Sequence, residues 1–180
     1  MNTEKIVITG GPGTGKSSII YELKKRGFYC FEEISRAITL NAREEGIEQL
    51  FLTNPLLFSQ LLLKGRQEQY YKAEKLKEKF VFLYRFIHDV ISYMDYVQDD
   101  YPQEFIDSCN NHVYSHVFIL APWQDIFSSD SERYENFDQS IEIHKHLLNT
   151  YKTYNYNLLD VPFGSIESRA DFILNVIQAL

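Results

Sequence analysis

Apolar positions along this chain follow two alternating periods. Ile6-Val7-Ile8 is a short continuous apolar run, the form taken by a strand buried on both faces. From Lys16 to Arg26 the period becomes helical, with Ile19, Ile20 and Leu23 on one face and Gly27 where a C-terminal cap belongs. Phe28 to Phe31 predicts a second strand, and Glu33 to Glu45 a helix that stops near Gly46. Asn54-Pro55 opens a long helix towards Lys79, with Leu57, Leu61 and Leu62 among its buried positions. Phe80 to Leu83 is a third strand, and helices follow from His88 to Gln98 and, past Pro102, from Gln103 to Asn110. Val113 to Leu120 predicts a fourth strand, closed by Ala121-Pro122-Trp123, and a polar stretch from Gln124 to Asn136 precedes a helix from Asp138 to Tyr151. Tyr156 to Val161 is a fifth strand stopped by Pro162. Ser165 then caps a helix whose stripe is Ile166, Ala170, Ile173, Leu174 and Ile177.

Strands alternating with helices predict an α/β protein: a five-stranded parallel sheet covered on both faces, a three-layer sandwich. No repeat, low-complexity stretch or linker interrupts the pattern, so one domain is expected over residues 1–180.

Composition narrows the partners. The chain is 44% hydrophobic and 24% charged with a formal net charge of -7, and its basic residues form no tail or stripe. Such a surface is a poor match for a phosphate backbone, so nucleic acid is not an expected partner. No apolar run reaches membrane-span length and the N-terminus lacks a signal-peptide core, which makes a cytoplasmic location the expectation. Cys30 and Cys109 lack metal-ligand spacing and are expected as reduced thiols near the core. His88, His112, His116, His144 and His146 form no ligand set and are expected to pack or to face solvent. Trp123 reads as buried packing in preference to a position bordering the nucleotide or the lid.

The chemistry concentrates between the first strand and the first helix. Gly10-Gly11-Pro12-Gly13-Thr14-Gly15-Lys16-Ser17 matches the Walker A pattern in full, in its required strand-to-helix setting. The glycines allow successive backbone N–H groups to converge on a phosphate, and the helix N-terminus adds its positive dipole end. Lys16 can reach the β- and γ-phosphates, the Ser17 hydroxyl is placed to ligate magnesium (Mg2+), and Ser18 can donate to the α-phosphate. Gly11, Pro12, Gly13, Thr14 and Gly15 complete the cradle. With no guanine-reading Asn/Thr-Lys-x-Asp motif, ATP is the expected nucleotide.

Fainter signals surround it. Glu32 and Glu33 lie at the carboxyl end of the second strand, beside the crevice where open α/β sheets bind ligands. Either is a candidate general base or a magnesium ligand through water, and equally a carboxylate starting a helix. Arg85 follows the third strand, where it can grip an anionic substrate or a phosphate, or else stand as a surface or core-edge arginine; Tyr84 before it occupies a position where an acidic residue often orders magnesium waters. Residues 131–135, with Arg133, read either as part of a lid over 124–136 or as a solvated charged turn.

Over nearly its whole length the chain resembles the small P-loop ATPases related to the ribosylnicotinamide kinase domain of the bacterial NAD regulator. The resemblance rests on Gly10 to Ser18, Glu32-Glu33-Ile34-Ser35-Arg36, Arg85 with Asp89, Pro122-Trp123, Asp130 with Glu132-Arg133, Val161-Pro162, and Ser165 to Leu174. It implies a central P-loop strand, a helical lid, Glu33 and Arg36 at the acceptor site, Arg85 near the substrate and Arg133 in the lid. The loop at Val161-Pro162 would border the base. Tyr84 departs from the Asp-Arg pair usual in relatives, leaving Asp89 or Glu33 to act through water. A neutral phenol cannot order magnesium waters as a carboxylate does.

The leading expectation is a magnesium-dependent ATPase or kinase-like phosphotransferase acting on a small nucleoside- or nucleotide-like acceptor. Lys16, Arg85 and Arg133 would offset phosphoryl charge, and Glu33 would take the acceptor's proton. The alternative, favoured by Tyr84, is a nucleotide-dependent switch with little turnover.

Overall fold

The computed structural model describes residues 3–128 and 135–179. Strand β1 (Glu4–Gly10) leads into helix α1 (Lys16–Lys25), and β2 (Tyr29–Phe31) into α2 (Ser35–Glu44), α3 (Leu50–Thr53) and α4 (Pro55–Glu74). Strand β3 (Phe80–Tyr84) is followed by α5 (Ile87–Val97) and α6 (Gln103–Asn111), and β4 (His116–Leu120) by a 3-10 turn at Gln124–Ile126 and α7 (Phe137–Thr153). Strand β5 (Leu158–Val161) and α8 (Ile166–Ala179) complete the order.

All strand pairings are parallel and the sheet order is β2-β3-β1-β4-β5, so β1 is central. Its residues Ile6 to Thr9 are fully buried, as the continuous apolar run requires. The two-residue period of the strands divides the core in two. Val7, Leu83, Val117 and Ile119 face helices α4 to α7, while Ile6, Ile8, Phe82 and Phe118 face α1 and α8. The result is the P-loop kinase-like three-layer fold, as expected from the alternation.

Several boundaries differ from the sequence reading. Helix α4 ends at Glu74, not Lys79, because the backbone N–H of Glu4 donates to the Lys79 carbonyl at 2.8 Å and draws the preceding residues into the approach to β3. Leu57 and Leu61 are 38% and 40% exposed; the buried stripe of α4 instead passes through Ser59, Leu62, Leu63, Arg66, Gln69, Tyr70 and Ala73. Strand β4 begins at His116 rather than Val113, since the N–H of Tyr114 is taken by the Tyr156 hydroxyl. Other signals were read correctly. Gly27 and Gly46 follow their helices with φ of 90° and 85°, and the Ser165 hydroxyl caps α8 by accepting from the Ser168 N–H. Cys30 and Cys109 are free and buried, and burial pushes both thiols up to about 12.

Candidate active site

The loop between β1 and α1 is shaped by backbone demands that only its residue types meet. Gly13 has φ 74°, and a side chain there would also run into the Phe127 ring. At Gly11 an added Cβ would lie 2.8 Å from the Ser140 hydroxyl, so α7 presses directly on the loop. Gly15 precedes α1 without a side-chain cap, which leaves the first-turn N–H groups facing the loop.

Two distant side chains hold this loop in shape. The Ser140 hydroxyl on α7 donates to the Pro12 carbonyl at 2.8 Å, and Arg169 on α8 donates to the Thr14 carbonyl at 3.1 Å. Lys16 is 4% exposed, and its ammonium donates to the Gly11 carbonyl at 2.6 Å and to the Thr14 hydroxyl at 3.3 Å. Gly11 and Thr14 are buried beneath it, while Ser17 and Ser18 are exposed.

A cavity of about 370 Å³ opens in front of Lys16 and Ser17 and runs between α2, α3, α4 and α5. Glu33 lies in its wall between two guanidiniums: Arg85 Nε at 3.6 Å and Arg66 Nη2 at 3.9 Å. Arg85 takes a left-handed backbone, φ 56°, which carries its side chain back from the end of β3 towards Glu33 and Asp89. Such strain in a non-glycine residue is typical of functional positions. Burial works against the Arg85 charge, but Tyr93, Glu33 and Asp89 outweigh it and hold its pKa above the ordinary arginine value. Asp89 is fully buried, accepting from Thr9 and from Tyr151 at 2.7 Å each, with Arg85 Nη1 at 4.0 Å.

The residues singled out in sequence thus converge: Lys16, Ser17, Glu33, Arg36 and Arg85 all line one cavity. Glu32 does not; it is exposed and pairs with Lys24. Arg133 lies outside the described residues, as do 129–134 of the expected lid. Trp123 is not buried packing. It is half-buried, stacked on the 56% exposed Phe163 with ring centroids 4.8 Å apart, and the Arg169 guanidinium lies 5.8 Å from its ring. Three contributors escaped the sequence reading. Ser140 and Arg169 are far from the loop in sequence and leave no local mark. Arg66 does leave one, since an arginine stands on the otherwise mainly apolar stripe of α4.

Magnesium carried by a nucleotide asks for a protein hydroxyl beside the phosphates and for groups that order its waters. The exposed Ser17 hydroxyl fits the first need. For the second, Tyr84 OH stands 3.1 Å from Ser17 Oγ, and among the described residues no group of three or more His, Cys, Asp or Glu side chains forms a cation site.

Fold and loop together define a P-loop protein of kinase-like architecture. The chain belongs to the AAA domain family, whose profile matches residues 5–169. Its fold is similar to that of deoxyadenosine kinase from M. mycoides, with TM-score 0.69, 19% identity, and 98% of this chain and 100% of that chain covered. Thymidylate kinase from Candida albicans aligns with TM-score 0.72 and 17% identity over 99% of this chain and 92% of that one. NadR protein in complex with NR gives TM-score 0.72 and 13% identity; 98% of this chain covers 50% of that one. No curated protein sequence matches the chain. Among the described residues, no helix is long and apolar enough to cross a membrane.

Proposed function

We propose that this chain is a cytoplasmic, single-domain phosphotransferase that moves the terminal phosphoryl group of ATP to a hydroxyl of a small nucleoside- or nucleotide-like acceptor. The observation that carries the reading is the single cavity that joins Lys16 and Ser17 to Glu33 and Arg85. A plain nucleotide switch has no use for a walled acceptor chamber of about 370 Å³ opposite its phosphate loop.

In this reading Lys16 and the loop N–H groups bind the donor's phosphates, and Lys16 leaves the Gly11 carbonyl to do so. Ser17 supplies the protein ligand to a magnesium ion, which when bound offsets phosphate charge. Arg85, with Arg133 from the lid, neutralises charge that develops on the transferring group. Glu33 accepts the proton of the acceptor hydroxyl, and Arg66 and Arg85 fix its orientation. Arg36, one turn further along, binds the acceptor. The fold neighbours named for deoxyadenosine kinase and thymidylate kinase support a nucleoside- or nucleotide-like acceptor.

The test is a magnesium-dependent phosphotransfer screen with radiolabelled ATP against nucleosides, nucleotides and related small hydroxyl compounds. A labelled product whose formation requires Lys16 and Glu33 is the expected result. ADP formation that no candidate accelerates points to a plain ATPase. Tight ATP binding with no turnover points to the switch that Tyr84 would favour.

A further inference from the structure

The cavity carries the opposite sign from its protein. Five cationic side chains line it (Lys16, Arg36, Arg43, Arg66 and Arg85) against three carboxylates, Glu33, Asp89 and Glu135. The chain as a whole has a formal net charge of -7. A cationic chamber on an acidic protein concentrates anions, and the surplus exceeds what the phosphate loop needs, because only Lys16 belongs to that loop.

The arrangement of the other arginines is ordered. Besides Ser35 in its first turn, α2 lines the cavity with Arg36, Thr39, Leu40 and Arg43, spaced at i, i+3, i+4 and i+7, so one stripe of the helix faces the chamber. The stripe runs about 10 Å along the helix axis, the length of a small aromatic compound with one substituent. Ile34, Ile38 and Ala42 anchor α2 to the core at i, i+4 and i+8, which turns the arginine-bearing stripe towards the chamber. Arg66 meets the stripe from α4. It is 3% exposed, it donates from Nη1 to the Phe86 carbonyl at 2.7 Å, and its Nε has no hydrogen-bond partner. A guanidinium buried with an unsatisfied donor is costly unless a ligand supplies an acceptor. Beyond the arginines the chamber turns apolar: Phe51 and Phe58 meet edge to face at 5.8 Å, and Leu62, Met94 and Val97 continue the wall. Phe51 and Phe58 are only partly buried, which leaves ring surface available for stacking.

Resting on the phosphotransferase reading above, we infer that the acceptor already carries a phosphate: a phosphomonoester with a flat ring, its phosphate held by the α2 arginines and Arg66 and its ring against Phe51 and Phe58. A dianionic phosphate engages several guanidiniums at once through forked donors, which a neutral nucleoside cannot do. The reaction then lengthens an existing phosphate or phosphorylates a second hydroxyl. In either case an acceptor oxygen forms the new P–O bond and ADP leaves with the electrons of the old one; a hydroxyl acceptor passes its proton to Glu33, whereas the oxygen of a dianionic phosphate has none to pass.

The phosphate loop is first filled with a non-hydrolysable ATP analogue and magnesium, and acceptors are then titrated calorimetrically. The panel pairs purine and pyrimidine nucleoside 5′-monophosphates with their nucleosides, and thiamine monophosphate with thiamine. At least one phosphomonoester is expected to bind ten-fold or more tightly than its dephosphorylated partner. Which pair shows the preference separates a nucleotide from another phosphorylated ring. Arg43→Gln and Arg36→Gln, both on the exposed helix, are expected to abolish that preference and leave binding of the analogue intact. Equal affinities within every pair, no binding by any phosphomonoester, or variants that keep the preference would each overturn the inference. The same titration on Lys16→Ala without analogue reads the chamber alone. Its outcome therefore stands even if ATP proves not to be the donor.

Discussion

The phenolic oxygen of Tyr84 lies 3.1 Å from the hydroxyl oxygen of Ser17, tying the end of β3 to the first turn of α1. Burial raises the Tyr84 pKa and the Glu33 charge raises it further, so a neutral phenol sits beside the hydroxyl proposed to ligate magnesium. A neutral group orders metal-bound water less well than a carboxylate. Tyr84→Asp is therefore expected to tighten magnesium in the nucleotide complex and to raise magnesium-dependent turnover about ten-fold, worth ~1.4 kcal/mol. Magnesium titration of nucleotide binding, followed beside initial rates, checks both. Identical titrations of the two proteins would show that another group orders the waters.

Asp89 is the electrostatic keystone behind the cavity. It accepts hydrogen bonds from Thr9 and Tyr151 and faces Arg85 at 4.0 Å, with no exposed surface. Asp89→Ala leaves two buried hydroxyls without an acceptor and Arg85 with one fewer counter-charge, so unfolding free energy should fall by about 3–5 kcal/mol. Asp89→Asn retains an acceptor and should lose clearly less. Urea melts of both variants decide the order, and a larger loss in the asparagine variant would contradict this account.

Those two residues mark how far sequence alone reaches. The phosphate loop was legible because its chemistry is contiguous: the conformations, the lysine and the hydroxyl are all set within Gly10 to Ser18. The sheet was legible because burial on both faces leaves continuous apolar runs at residues 6–8 of β1, 80–83 of β3 and 117–120 of β4. The cavity in front of Lys16 was legible only in part. Glu33, Arg36 and Arg85 follow strand ends, where parallel sheets collect ligands. Arg66 comes from mid-helix and Ser140 from an element more than a hundred residues beyond the loop it holds. The α4 stripe was misread at Leu57 and Leu61 because apolar residues surround that helix on several sides, so period alone did not identify the buried face.

Ser140 gives that long-range support a measurable consequence. Its hydroxyl is fully buried and donates to the Pro12 carbonyl at 2.8 Å, the hydrogen bond that fixes the loop against α7. Ser140→Ala leaves a buried carbonyl unsatisfied, at a cost of about 1–2 kcal/mol. Because the lost contact belongs to the loop, ATP affinity should weaken about five- to ten-fold while the thermal midpoint drops by only a few degrees. Calorimetric titration with ATP, beside a melt, separates the two effects. Unchanged affinity with lowered stability would make Ser140 a packing residue only.

His88 yields the pH dependence. Its ring is fully buried, stacked on Tyr151 at 5.3 Å and surrounded by Tyr114, Tyr154 and Tyr156, with neither ring nitrogen hydrogen-bonded. Burial, aided by the nearby His112, lowers its pKa from 6.5 to about 3. The unfolded chain takes up a proton near 6.5 while the folded chain refuses it until about 3, so the stability tied to neutral His88 is complete above 6.5 and lost as pH falls. The slope is about 1.4 kcal/mol per pH unit within that window. Carboxylates contribute in the same direction, so the informative quantity is a difference between proteins. His88→Phe keeps the aromatic packing without a titrating group, and its stability should exceed that of the natural chain by a margin that widens from pH 6.5 to pH 4.5 by roughly 2–3 kcal/mol. Urea melts across that range measure the margin, and a constant difference would mean that His88 is already protonated, or equally reluctant to protonate, in both states.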